Sequence, residues 1–162
     1  MDVTNALHVY LNDHRAGSMM GVELARTLRS RFEGTPRGPF FAELAADIEA
    51  DRATLDALMA SLQVTGNVLK QAGGWTAEKL SRLKLNRWFT GSPPLTVLLE
   101  IEALSLGVEG KLALWRSLKV IEATSPVLAA APLDELIERA QRQRDGLERE
   151  RISEATSVLE AA

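Results

Sequence analysis

The chain contains no cysteine and only two histidines. Without thiols there are no disulfide bonds, thiolate zinc sites, iron–sulfur clusters or cysteine nucleophiles, and two histidines provide little material for a histidine-rich metal site. No apolar run approaches the roughly 20 residues that a helix needs to cross a bilayer. The first residues lack the basic segment and the unbroken apolar segment of a secretory signal. We therefore expect a cytoplasmic protein that has no contact with a membrane.

The charge balance is slightly acidic. Nineteen Lys and Arg face 22 Asp and Glu, which gives a formal net charge of −3 and a pI near 5.5. This balance argues against a protein whose whole surface binds nucleic acid. The length of 162 residues, with 46% apolar and 25% charged residues, predicts one globular domain over residues 1–162.

Proline and glycine clusters divide the chain into long segments with helical character. These segments are rich in Ala, Leu, Glu and Arg, and their apolar residues recur with a period of 3.6. Four long helices are predicted at about residues 4–32, 39–62, 95–122 and 132–159. A crossover of about residues 63–94 joins the second helix to the third, with short helices expected at 64–70 and 76–88. Two helical hairpins joined by one long connection have ferritin-like connectivity, so the expected fold is an all-α four-helix bundle.

Several segments of the sequence resemble uncharacterised bacterial ferritin-like proteins. The residues that carry this resemblance are Tyr10–His14, Gly21–Leu24, Gly74-Trp75, Arg82–Arg87 and Leu98–Leu104. The resemblance implies a ferritin-like bundle with a carboxylate-bridged di-iron site. That family takes a Glu-x-x-His pair from each of two helices, and this chain contains no such pair. The resemblance therefore supports the fold and argues against the chemistry of the family, and we expect no cofactor.

A metal-dependent oxidoreductase or iron-binding protein with a rebuilt site is the alternative. Both histidines, His8 and His14, lie on the first helix, where the family pattern expects only a Glu. The side chains available to a rebuilt iron or manganese site are Asp47, Asp51, Glu100 or Glu102, and His14.

Charged residues on the apolar faces predict a buried polar cluster in place of a metal. Counting along the helices at ~1.5 Å per residue places Arg151 beside Asp51 and Glu102. The same count places Arg144 beside Glu109, near His14. Arginine suits this role because its planar fork matches carboxylates. The predicted interior cluster consists of His14, Asp51, Glu102, Glu109, Arg144 and Arg151.

Glycines inside two of the helices need an explanation, because each lowers helix propensity by roughly 0.8–1 kcal/mol relative to Ala. Gly17 and Gly21 lie on the first helix, and Gly107 and Gly110 on the third. We expect all four to permit close packing of helices. For the first pair, the alternative is space for a ligand beside His14.

The crossover is locally basic and aromatic. Such a combination can bind an anion, a lipid surface or single-stranded nucleic acid, whereas the simpler interpretation is an amphipathic helix whose basic side chains extend over acidic neighbours. The candidate anion-binding residues are Lys79, Arg82, Lys84 and Arg87.

The third helix carries two apolar stripes, of which a single bundle core readily buries one. The first stripe contains Val97, Ile101, Leu104, Val108 and Trp115, and the second contains Leu95, Leu99 and Leu106. An exposed second stripe favours association, so a homodimer is predicted. The leading functional hypothesis is a non-catalytic helical module that acts by dimerisation or by binding a small ligand or a protein partner.

Overall fold

The computed structural model describes residues 3–64 and 93–160. Helix accounts for 89% of these residues, and none of them lies in a strand. None of the described helices is long and apolar enough to cross a membrane. The helices are α1 (Val3–Phe32), α2 (Gly38–Ser61), α3 (Pro93–Val120), the four-residue α4 (Pro126–Ala129) and α5 (Leu133–Leu159), with a 3-10 turn at Glu122–Thr124.

The four long helices predicted from the sequence are confirmed within two residues at each end. Gly34 adopts a left-handed conformation with φ of 74° after α1, and Pro39 lies in the first turn of α2, where its missing N–H is harmless. The segment between α3 and α5 contains one of the proline clusters that separate the long helices. Pro126 starts α4, which places Leu128 in the core.

Contacts along α1 show that it runs antiparallel to α3. The hydroxyl of Tyr10 donates to Oγ of Ser117 at 3.2 Å, near the start of α1 and the end of α3. Towards the opposite ends, Nη2 of Arg31 lies 3.1 Å from Oε2 of Glu100. The two helices therefore pass each other in opposite directions.

The remaining directions follow from ion pairs on α2. Arg37, just before α2, pairs with Glu150 near the end of α5, whereas Asp51 pairs with Arg139 near its beginning. The helices α2 and α5 are therefore antiparallel. Asp51 also pairs with Lys111 of α3. Since α1 is antiparallel to α3 and forms a hairpin with α2, the helices α2 and α3 point the same way. Because α5 is antiparallel to α2, it points the same way as α1.

The apolar residues form two separate clusters along the bundle. Leucine, isoleucine and phenylalanine side chains from α1, α2, α3 and α5 fill the first. The second contains Trp115 and Leu128 and extends to α4. The buried face of α2 follows the predicted stripe and comprises Phe41, Leu44, Ala45, Ile48, Asp51, Leu55, Leu58 and Met59.

The two predicted stripes of α3 differ in burial. The first is buried throughout, as expected. On the second, Leu95 and Leu99 are partly buried, and Leu106 is 76% exposed. The homodimer stays a prediction.

Arg37 fastens the turn between α1 and α2 to the end of α5. Its guanidinium pairs with Glu150 and Glu154 and donates to the backbone oxygen of Glu150. The same group lies 4.1 Å from the ring centroid of Phe32, where a cation is attracted to the aromatic face. This contact holds the α1–α2 turn against α5.

The variant Arg37→Ala should lower the free energy of unfolding by about 2–4 kcal/mol, because it leaves two partly buried carboxylates without a cation and removes the ring contact. Urea denaturation monitored by circular dichroism measures the change. Arg142→Ala is the control, since its pair with Glu138 is long and exposed and should contribute about 0–1 kcal/mol. Equal losses in the two variants would contradict the role of Arg37.

Candidate functional site

A layer of polar side chains crosses the bundle between the two apolar clusters. We call it the polar layer; it consists of Asp47 and Asp51 of α2, Lys111 of α3, and Arg139 and Gln143 of α5. Asp51 lies at its centre and is 1% exposed. Each central member is flanked on its own helix by residues of both clusters, as Asp51 is by Ile48 and Leu55.

Both oxygens of the Asp51 carboxylate face a cation. Nζ of Lys111 donates to Oδ2, and Nη2 of Arg139 lies against Oδ1. Nζ of Lys111 also donates to Oε1 of Gln143. The amide nitrogen of Gln143 lies 3.4 Å from both Oδ2 of Asp51 and Oδ2 of Asp47, so it closes the network.

Burial dominates the electrostatics of Lys111. Desolvation lowers the pKa of its ammonium group below the ordinary value, and nearby Arg139 adds to this effect. The carboxylates of Asp51 and Asp47 oppose the shift without reversing it. The paired carboxylate is therefore needed to keep a charge at this depth.

A cavity of about 310 Å³ adjoins the polar layer between α1, α2 and α3. Asp51 and Lys111 form part of its wall. The apolar part of the wall is provided by Ile48, Leu55, Leu114 and Trp115.

Glycines open this cavity between α1 and α3. Gly17, Gly107 and Gly110 all line it, and a Cβ placed on any of them meets no described atom within 4 Å. The same holds for Gly21, which does not line the cavity. The expectation that these glycines permit close helix packing is therefore wrong among the described residues. At Gly17 the alternative, space beside His14, agrees with the geometry.

His14 lies in the cavity wall, one turn before Gly17. It is half-buried, and desolvation lowers its pKa, an effect that Asp13 partly offsets. Its ring packs edge-on against Tyr10 with centroids 4.6 Å apart. The imidazole is therefore neutral at pH 7 and retains one donor and one acceptor nitrogen.

Trp115 contributes an unpaired hydrogen-bond donor to the same region. The side chain lines the cavity and is 1% exposed. Its indole Nε1 has no hydrogen-bond partner among the described residues. Because this nitrogen is itself buried, its missing hydrogen bond is a cost to the fold and not a contact that the cavity offers to a ligand.

The predicted interior cluster is confirmed for Asp51, which is buried, and His14 lies near it in the cavity wall. Arg151 does not pair with Asp51 as predicted. Its place is taken by Lys111 and Arg139.

The other four predicted members pair as expected but lie at the surface. Arg151 and Glu102 are 3.7 Å apart, with side chains 31% and 41% exposed. Arg144 and Glu109 are also 3.7 Å apart, with side chains 42% and 54% exposed. Their assignment to the interior is wrong, because the side of α3 that carries these acids faces outwards while the side that carries Lys111 faces the core.

Three members of the polar layer are not predicted from the sequence. Lys111 and Arg139 look like ordinary surface cations by residue type. The sequence does indicate burial of Gln143, because this residue lies three residues after Ala140 and four before Leu147 on the buried stripe of α5. The basic crossover residues Lys79, Arg82, Lys84 and Arg87 lie outside the described residues.

The carboxylates proposed for a rebuilt metal site are distributed over different contacts. Glu100 pairs with Arg31, Glu102 pairs with Arg151, and Asp51 belongs to the polar layer. Within residues 3–64 and 93–160, no three His, Asp or Glu side chains come together in a group that could hold a metal ion.

Comparisons with protein-family models, with curated proteins and with solved structures find no match to this chain. The geometry of the cavity and of the polar layer is therefore the basis for assigning a function.

Asp51→Asn should lower the free energy of unfolding by about 3–5 kcal/mol, because it leaves two partly buried cations without their carboxylate. Urea denaturation measures this loss. Glu102→Gln is the matched control and should lose about 0–1 kcal/mol, since its ion pair is exposed. Similar small losses in both variants would show that the polar layer does not support the fold.

The lowered pKa of His14 predicts a loss of stability on acidification. The unfolded chain takes up this proton first, so the contribution of His14 is complete above its ordinary value of 6.5. It is lost as the pH falls through the lower folded-state pKa. When the pH is lowered from about 7.5 to about 5.5, the free energy of unfolding should fall less in His14→Gln than in the wild type. Urea denaturation at the two pH values measures both changes. An equal fall in the free energy of unfolding in the wild type and in His14→Gln would refute this assignment.

Proposed function

We propose that this protein is a non-catalytic helical module that binds a small, largely apolar molecule in the cavity between α1, α2 and α3. The observation that carries the proposal is a cavity of about 310 Å³ that is lined by Gly17, Gly107 and Gly110. A methyl group added to any of these glycines would meet no described atom within 4 Å. Ligand sites are typically concave, mostly apolar and provided with a few polar groups.

The size of the cavity supports a ligand of modest dimensions. Small-molecule pockets have volumes of roughly 300–1,000 Å³, so this cavity lies at the lower end. It has about twice the volume of an engineered 150 Å³ cavity that takes up benzene. A molecule with one ring and a short side chain fits this space.

The pairing in the polar layer supports binding rather than catalysis. A general base needs a free lone pair directed at its substrate, whereas cations face both oxygens of Asp51. Lys111 is engaged by Asp51 and Gln143. These paired groups form one fixed side of the cavity.

The fold we propose for this module is ferritin-like. Its support is the direction of the long helices, with α1 and α5 opposed to α2 and α3, together with the long chain between α2 and α3. The proposal concerns architecture and not a metal site, since the buried carboxylate of Asp51 is already paired with Lys111 and Arg139.

A cavity-filling variant tests the proposed binding. The neutral probe is phenylacetamide, and its dissociation constant is measured from amide chemical shifts in an NMR titration. Gly17→Leu should weaken binding at least tenfold, because the new side chain occupies the cavity. Its helix should remain intact, since leucine has the higher helix propensity.

Gly21→Leu is the matched control, because Gly21 lies on the same helix with open space at its Cβ but does not line the cavity. It should bind the probe like the wild type. Equal binding by both variants, or no binding by the wild type, would refute the proposal.

A further inference from the structure

We propose that the bound molecule is an apolar monocarboxylate whose carboxylate pairs with Arg52 at the edge of the cavity. This inference rests on the proposed function and adds the chemical class of the ligand. It depends on one cation in the cavity wall that has no carboxylate partner among the described residues.

Arg52 differs from its neighbours on the face between α1 and α2. On this face, Asp56 of α2 pairs with Arg15 at 2.6 Å, and Glu49 of α2 pairs with Arg26 at 2.7 Å. Arg52 lies between these two acids in the sequence, lines the cavity and is partly buried. The described residues offer it neither an ion pair nor a side-chain hydrogen bond.

The other charged groups of the wall are less available. Cations already pair with both oxygens of Asp51, so its negative charge is compensated before any ligand binds. Asp13 is exposed at the edge, where water screens its charge. Lys111 makes two contacts through its ammonium group and retains one N–H, and neutral His14 adds a further donor nitrogen.

The free hydrogen-bonding groups of the cavity are thus mainly donors. Arg52 offers a planar fork that matches a carboxylate in two parallel hydrogen bonds. The apolar side chains of Ile48, Leu55 and Leu114 line the remaining wall and suit a hydrocarbon body. A ligand with an apolar body and one carboxylate complements both parts.

Matched probes separate the ligand class from binding itself. Phenylacetate, phenylacetamide and phenethylamine share one ring and differ in the charge of the end group. NMR titration of the wild type should show phenylacetate binding about tenfold more tightly than the amide, because a charge-assisted hydrogen bond is stronger than a neutral one. Phenethylamine should bind most weakly.

Arg52→Gln should reduce the preference for phenylacetate over the amide to about onefold, because it weakens the binding of phenylacetate much more than that of the amide. Arg142→Gln removes one positive charge from an exposed position on α5 and should keep the full preference. If the amide binds and Gly17→Leu abolishes its binding, but phenylacetate has no advantage or the amine binds best, the ligand class is wrong while the proposed function stands. If none of the probes binds, both fail.

Discussion

The burial of the Asp51 carboxylate is the constraint on which the rest of this bundle depends. A carboxylate that is 1% exposed is stable only when cations and donors replace the water it has lost. Those partners come from two other helices, Lys111 from α3 and Arg139 from α5. One buried charge therefore fixes the axial position of three helices relative to one another, which two apolar clusters alone would specify less sharply.

No described side chain of α1 belongs to this network, and that difference shapes the cavity. Lys111 faces Asp51 across the core and also lies in the cavity wall, so the polar layer forms one side of the space beside α1. Along the remaining contact between α1 and α3, Gly17 and Gly107 provide no side chains to fill it. A rigid polar wall on one side and missing side chains on the other leave a preformed space, which reduces the ordering that a ligand must bring about on binding.

Local patterns in the sequence predicted the helices well and the site only in part. Periodicity and proline positions located the four long helices, and the apolar stripe of α2 placed Asp51 inside. Counting along the helices also paired Arg151 with Glu102 and Arg144 with Glu109 correctly. It failed for Asp51, which pairs with Lys111 and Arg139 instead of Arg151, because residue counting assumes that all helices start at the same height. The exposure of Glu102 and Glu109 could not be predicted either, since it depends on the rotation of α3 about its axis.

Features that weaken an isolated helix bundle are concentrated at one place in this molecule. Glycines within helices lower stability relative to alanine, and a buried ion pair is often no better than apolar residues of the same size. An indole N–H without an acceptor among the described residues adds a further cost. Gly17, Gly107, Lys111 and Trp115 all line the same cavity, whereas the apolar clusters on either side follow the ordinary rules of packing. Departures from local rules that converge on one concave site are expected where a protein gives up stability for binding, and this convergence links the architecture to the proposed function.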